Sequence, residues 1–225
     1  MADLFINDTS VLRPDGSVAP HQDVCVEEGR FQSIRPHGAA ENVTVQAGDN
    51  SDAAARQTAA SPHGCVIDGR GKLVMPPLAD CHMHTGQQLL KGQILDELPM
   101  IWTRIMLPFE STLTPERMRL SAGLAALEMM RSGTGAFIDA GSYHMEAAAE
   151  VYLSSGLRGI LSASTMDQPG LPPSIAQNAE EAIAQTDRLY NGFHKNGLLK
   201  VAYSLRSLIS CSPKLIDMAG ERAVT

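Results

Sequence analysis

Two histidines, His82 and His84, stand one residue apart in the run Asp80-Cys81-His82-Met83-His84. Side chains of an extended segment alternate between faces, so positions i and i+2 point the same way. Two imidazoles on one side of a strand can share one cation, because ring nitrogens are ordinary ligands for zinc and other divalent ions. The alternative for the pair is two hydrogen-bonded histidines that cap a strand end. Outside this run, His21, His37, His63 and His194 sit in polar or loop contexts and receive no role, and His144, after a strand end, reads as a solvated first-turn residue of a helix with an active-site-facing side chain as the alternative.

The elements around this run would have to place it. Residues 1–36 read as short strands: Leu4-Phe5-Ile6, then Val24, Val26, Phe31 and Ile34 on either side of a Glu27–Arg30 turn, with a second turn at Asp15-Gly16. Residues 37–63 are rich in Ala, Ser, Asp and Asn, which reads as a mobile surface insertion, with a short Ala-rich helix near 52–60 as the alternative. Cys65–Asp68 and Lys72–Met75 flank Gly69-Arg70-Gly71, a hairpin signature. From there β-like and helical segments alternate. Leu78–Cys81 is a short strand of buried character. Residues 115–132 are helical, with Thr114 as cap, Pro115 in the first turn, Gly133 as stop, and Leu120, Leu124, Leu127 and Met130 at helical spacing. Strands are expected at Gly135–Asp139, Arg158–Ala163 and Leu198–Ser204. Helices are expected at 143–155 (capped by Ser142), at 174–193 (Ser174 and Gln177 as a capping box) and after Ser212-Pro213. Four β-then-α units imply a parallel sheet with helices outside it, and an open sheet and half of an eight-unit barrel both satisfy the pattern. In a barrel, His82 and His84 fall at the C-terminal end of the first strand, where barrel active sites lie.

Composition narrows the partners. Forty-four per cent hydrophobic and 19% charged residues describe a folded globular chain. Eighteen Lys and Arg against 25 Asp and Glu, a net charge of −7, argue against a nucleic-acid backbone binder, and 4% aromatics argue against a base-stacking surface. No apolar run is long enough to span a bilayer. The four cysteines, Cys25, Cys65, Cys81 and Cys211, form no CxxC pair, and the N-terminus has no secretory pattern, so a cytoplasmic protein with reduced thiols is expected.

The segment LVMPPLADCHMH resembles the opening of the barrel in the amidohydrolase superfamily. LLKGQILDELPMIWTRIMLPFESTLTPE and GLAALEMMRSGTGAFIDAG are similar to the branch that holds S-adenosylhomocysteine, cytosine and guanine deaminases and the triazine hydrolases. The resemblance implies a small N-terminal β-sandwich domain over 1–73, carrying the insertion at 37–63, and the first four units of a (β/α)8 TIM barrel over 74–225. It implies a metal-dependent hydrolase of non-peptide carbon–nitrogen bonds, in which metal-activated water deaminates a heterocyclic amine. His82 and His84 match the first two metal ligands. Glu110 matches a substrate-holding position, with a helix-adjacent surface carboxylate as the alternative. Trp102 either packs under the same loop or lines the substrate pocket. Asp139, at a strand end, is expected to cap or brace its loop, with facing the active site as the alternative, and Glu128 is expected to be a brace and not a catalyst.

The sequence also departs from that branch. Leu161–Ser164 stand where adenosine-type deaminases tend to carry an arginine, which argues against a nucleoside thioether substrate. The fourth strand ends in Ser204-Leu205-Arg206 in place of Gly-Pro-His, so Arg206 either grips an anionic substrate group or forms a structural ion pair. No lysine stands at that strand end, which favours a single metal, zinc with iron as the alternative. The family's third histidine and its general acid/base glutamate come from the fifth strand, which would begin where Gly220–Thr225 ends. The expected object is the N-terminal half of an enzyme acting on a small molecule, or a non-catalytic fragment. A homo-oligomer, or a complementing C-terminal half, is the expected partner.

Overall fold

The computed structural model describes residues 3–39, 60–61, 64–94, 97 and 99–224. The chain divides into two compact units, Met1–Pro76 and Pro77–Thr225. Most of the polar insertion at 37–63, all but the last residue of its alternative helix at 52–60, and His63 lie outside the described residues.

The first unit is a mixed sheet. Strands β1 (Leu4–Leu12), β2 (Val18–Glu27) and β3 (Arg30–Pro36) form an antiparallel meander, and β5 (Gly64–Asp68) and β6 (Leu73–Val74) both run parallel to β1. The two-residue β4 (Ala60–Ser61) borders β5. The Glu27–Arg30 turn forms as expected, because Glu28 and Gly29 both take the positive φ that a tight hairpin requires. The Asp15-Gly16 turn forms too, with the Asp15 carboxylate accepting from the Ser17 amide. A bulge in β1 frees the Asp8 amide from the ladder, and Asp23 accepts it at 3.0 Å. The hairpin expected at Gly69-Arg70-Gly71 does not form. The Lys72 carbonyl is taken by the Ser10 amide and the Thr9 hydroxyl, so β6 returns to β1 and not to β5. Gly69 permits this close passage, since a Cβ there would stand 2.6 Å from Thr9 Cβ.

The second unit is a parallel sheet in the order β10-β9-β8-β7: β7 (Leu78–Met83), β8 (Thr134–Asp139), β9 (Arg158–Leu161) and β10 (Leu199–Val201). Strands neighbour one another in sequence order, without the reversal that marks doubly wound sheets. Between them lie α1 (Leu107–Glu110), α2 (Pro115–Ser132), α3 (Met145–Ser155) and α4 (Ala179–Phe193), with α5 (Pro213–Ala223) last. The core joins Met118, Ala122, Ala125, Ala126 and Met129 of α2 to Ala147, Ala148 and Tyr152 of α3 and to Phe137, Leu161 and Leu199 of the sheet. Among the described residues, no helix is long and apolar enough to cross a membrane.

Several expectations need correction. Helix α2 has its expected ends, with Thr114 accepting from the Arg117 amide and Gly133 at φ 78°. Its inner face differs: Leu120 is 65% exposed, Leu127 and Met130 also face outward, and an Ala stripe faces α3. Small side chains on both helices let them approach closely, so the larger leucines are displaced to the outside. Strand β7 is exposed rather than buried: at its edge of the sheet, Leu78–His82 are open to solvent on both faces and only Met83 is covered. Ser142 does not cap α3: its hydroxyl turns to Asp139, and His144 precedes the helix at φ 53°. Helix α4 is capped by Asn178 and Glu181, whereas Ser174 and Gln177 bond to the Ser111 and Ser164 carbonyls. Ser212 caps α5 as expected.

Candidate metal centre

The histidine pair sits where β7 gives way to a 3₁₀ turn, Thr85–Leu90. The β7–β8 register slips between Asp80 and Met83, and the Asp80 carboxylate closes the irregularity by accepting from the His82 amide at 3.1 Å. The two rings lie on the same side, edge to face, with centroids 5.2 Å apart. His82 is exposed and His84 half-buried.

His84 is held from behind. Its Nδ1 lies 2.9 Å from the Gly141 carbonyl oxygen. A carbonyl only accepts, so Nδ1 carries the proton and Nε2 of the neutral ring keeps its lone pair. Burial, and then the positive charge of Arg206, hold the His84 pKa below its ordinary value, which favours that neutral ring.

Gly141 follows β8 in a loop organised by Asp139. This carboxylate is fully buried and accepts from the Thr85 and Gly141 amides, both at 2.8 Å, and from the Ser142 hydroxyl. Burial raises the Asp139 pKa on balance, against the opposing pull of the Thr85 and Gly141 bonds. Asp139 thus joins the residue after His84 to the loop that holds the His84 ring, which is the bracing role its position suggested.

Glu110 and Arg206 meet. Arg206 donates from Nη2 to Glu110 Oε1 at 2.8 Å and from Nη1 to the Gly141 carbonyl at 2.7 Å. The side chains are 5% and 2% exposed, so this is a buried ion pair. Gln87 donates a further bond to Glu110 Oε1 at 2.6 Å. Glu110 Oε2 is buried without a hydrogen-bond partner, and the Tyr143 hydroxyl is buried with the Ser164 hydroxyl as its neighbour. The Tyr143 pKa is pushed up to about 12, chiefly by burial. Trp102 packs against the apolar cluster of Leu107, Tyr143, Met166 and Ile175, beside the helix that carries Glu110. Glu128 pairs with Lys91 at the surface. Sequence reasoning missed Gln87, Gly141 and Tyr143. Only Gly141 left a signal, as a glycine two residues past a strand end.

Among the described residues, no cluster of three or more His, Cys, Asp or Glu side chains assembles that could hold a metal ion. His82 and His84 therefore fit as part of a ligand set, with one ring already oriented by a backbone acceptor in the way metal-binding histidines usually are.

The description of the amidohydrolase family matches residues 73–224. The chain belongs to the amidohydrolase family. Relatives include the 5-methylthioadenosine/S-adenosylhomocysteine deaminase of Thermococcus kodakarensis, 39% identical over 126 residues, which are 55% of this chain and 29% of that protein. The enzyme of the same description from Bacillus cereus is 35% identical over 164 residues, 71% of this chain and 37% of that one. This amidohydrolase chain thus spans about a third of the length of the curated relatives it matches. Among solved structures, an adenosine deaminase from Xanthomonas campestris with bound zinc superposes with a TM-score of 0.75 at 24% identity, over 99% of this chain and 46% of that one. A guanine deaminase from C. acetobutylicum gives 0.74 at 16% identity, over 98% and 50%. At those identities the likeness shows the fold.

Proposed function

We propose that this amidohydrolase chain supplies the metal-ligating first half of a deaminase that hydrolyses a carbon–nitrogen bond of a small heterocyclic amine. The observation that carries the reading is the His84 ring, fixed through Nδ1 by Gly141 with Nε2 free beside His82. His82 and His84 would hold one divalent cation, zinc or alternatively iron, and such a cation supplies Lewis-acid activation of water at neutral pH. Names of the relatives and solved neighbours support deamination.

This chain's own residues then have separate tasks. Asp139 clamps the β7 and β8 loops together, so the two imidazoles keep their spacing. Glu110 Oε2 is a desolvated acceptor with no partner, suited to an N–H or O–H of the substrate. Trp102 walls the same region from its apolar cluster. Arg206 has two of its donor nitrogens committed to protein and is almost fully buried, so it serves the substrate through Glu110 and not as an anion grip.

The fold reading that accompanies this is half of a (β/α)8 barrel over 74–225, with a small sandwich domain over 1–73. Sequence-ordered parallel strands support the barrel. Apolar side chains left exposed on β3, Phe31 and Ile34, support a second layer for the sandwich. A second reading is a subunit or fragment without activity of its own, favoured by the lack of a third ligand among the described residues. Equilibrium dialysis against zinc tests the first reading: the wild-type chain is expected to take up zinc, and His82→Ala with His84→Ala to lose it. Undiminished zinc in the double variant overturns the ligand assignment. Metal-dependent ammonia release, gained only after mixing with the complementary half of a relative, would establish the subunit reading over independent catalysis.

A further inference from the structure

The Gly141 carbonyl oxygen accepts from two side chains at once, His84 Nδ1 at 2.9 Å and Arg206 Nη1 at 2.7 Å. Glycine is the residue least able to hold its own peptide planes, and Gly141 sits at φ 110°, a left-handed conformation open mainly to glycine. A Cβ there would stand 3.3 Å from the Ala163 carbonyl oxygen and from Ser204 Oγ, so no other side chain fits without displacement. The orientation of this carbonyl must come from outside. The amide of Gly141 is held by Asp139 at 2.8 Å. On the carbonyl side, the Ser142 amide makes a longer bond to the Ser162 carbonyl, 3.3 Å, and Arg206 makes the short, charge-assisted one. Arg206 is itself set by Glu110, whose Oε1 also holds Gln87.

We propose that Arg206 is a positioning residue for His84: its guanidinium fixes the Gly141 carbonyl, and that carbonyl fixes the tautomer and the ring orientation of His84. The use of the fixed ring as a metal ligand rests on the function proposed above, whereas the positioning does not.

Long-range ¹H–¹⁵N correlation spectra of the metal-free chain, recorded above the ordinary imidazole pKa, distinguish the two neutral tautomers. The wild-type His84 is expected as the Nδ1–H form alone. Arg206→Met combined with Glu110→Gln removes both charges and leaves no buried ion unpaired; His84 is then expected as a mixture of tautomers. Zinc affinity by equilibrium dialysis is expected to fall about 10- to 100-fold, the usual effect of losing a partner behind a ligating histidine. Arg206→Leu in the same Glu110→Gln background serves if the first variant does not fold, with native circular dichroism as the criterion. An unchanged Nδ1–H tautomer in a folded double variant overturns the proposal. A changed tautomer with unchanged zinc affinity supports it and refutes His84 as a ligand, which separates the two readings.

Discussion

Arg206→Met with Glu110 left in place strands a carboxylate that is only 2% exposed. In the native site Glu110 has two donors, Arg206 and Gln87, both on Oε1, while Oε2 has none. Removing the guanidinium leaves a buried negative charge held by one neutral amide. Breaking a buried pair from one side costs about 3–5 kcal/mol, a large part of the roughly 5–15 kcal/mol that a folded protein has in total. Glu110→Gln strands the opposite charge, a guanidinium only 5% exposed. Arg206 still keeps the Gly141 carbonyl and can donate to the new amide oxygen, so the expected loss lies at the low end of the range for a pair broken from one side, about 3 kcal/mol. With both changes no charge remains to be stranded, and the double variant is expected to lose less than the sum of the singles, by about 1–3 kcal/mol. Urea denaturation followed by far-UV circular dichroism gives the global value. The fluorescence of Trp102, the only tryptophan and a neighbour of the Glu110 helix, gives a local one. A cost below about 1 kcal/mol for Arg206→Met, the range of solvent-exposed pairs, or strict additivity of the two changes, would refute the buried-pair reasoning.

Other expected outcomes follow from packing, capping and charge. Gly159→Ala would drive a Cβ to 2.4 Å from the ring of Phe137, itself 2% exposed, so a loss of about 1–3 kcal/mol by thermal denaturation is expected, and wild-type stability would contradict that contact. Asn178→Ala deletes the side-chain half of the α4 capping box and should cost about 1 kcal/mol, whereas Ser174→Ala, one turn outside the helix, should leave helix content unchanged. For His84 the folded-state pKa lies below the ordinary 6.5, through burial first and Arg206 second. The unfolded chain therefore takes up the proton first. Metal-free stability is expected to fall as pH drops from about 6.5 through the lowered value, and to be insensitive to this group above 6.5. His84→Asn, which keeps a donor near the Nδ1 position, should flatten that slope in a plot of Tm against pH; an equal slope in both proteins would place the titration elsewhere.

Local chemistry made much of the fold legible. Thr114-Pro115 and Ser212-Pro213 announce helix starts because a hydroxyl and a preset φ satisfy the first turn, whatever lies around them. The same-side histidines followed from period-two alternation. Facing directions were less legible. The outward leucines of α2 keep helical spacing, but whether a leucine or an alanine stripe faces inward depends on how near α3 comes, which no local pattern states. The Gly69-Arg70-Gly71 turn failed as a hairpin for a similar reason: competition for the Lys72 carbonyl was decided by Ser10 and Thr9, far away in sequence. In the site, residue types were readable and partners were not. Glu110 and Arg206 could each be marked as chemically able, but their pairing depends on where a helix and a strand end come to rest.

The contacts that join at Gly141 also bear on the order in which the chain acquires structure. His84 and Gly141 are 57 residues apart, Arg206 and Gly141 65, and Arg206 and Glu110 96. Each such closure must meet its loop entropy before any bond rewards it. Helices α2 to α4 can form and pair while the His84 ring is still free to turn, since nothing before residue 206 supplies the guanidinium that holds its anchor. On a ribosome, a nascent chain with its first two βα units complete would carry both imidazoles yet hold neither Gly141 nor Glu110 from the Arg206 side. With Arg206 in the positioning role proposed for it, the His84 ring would be fixed only when the fourth unit docks, and its fixing would mark that event and not the folding of the strand on which the histidines lie.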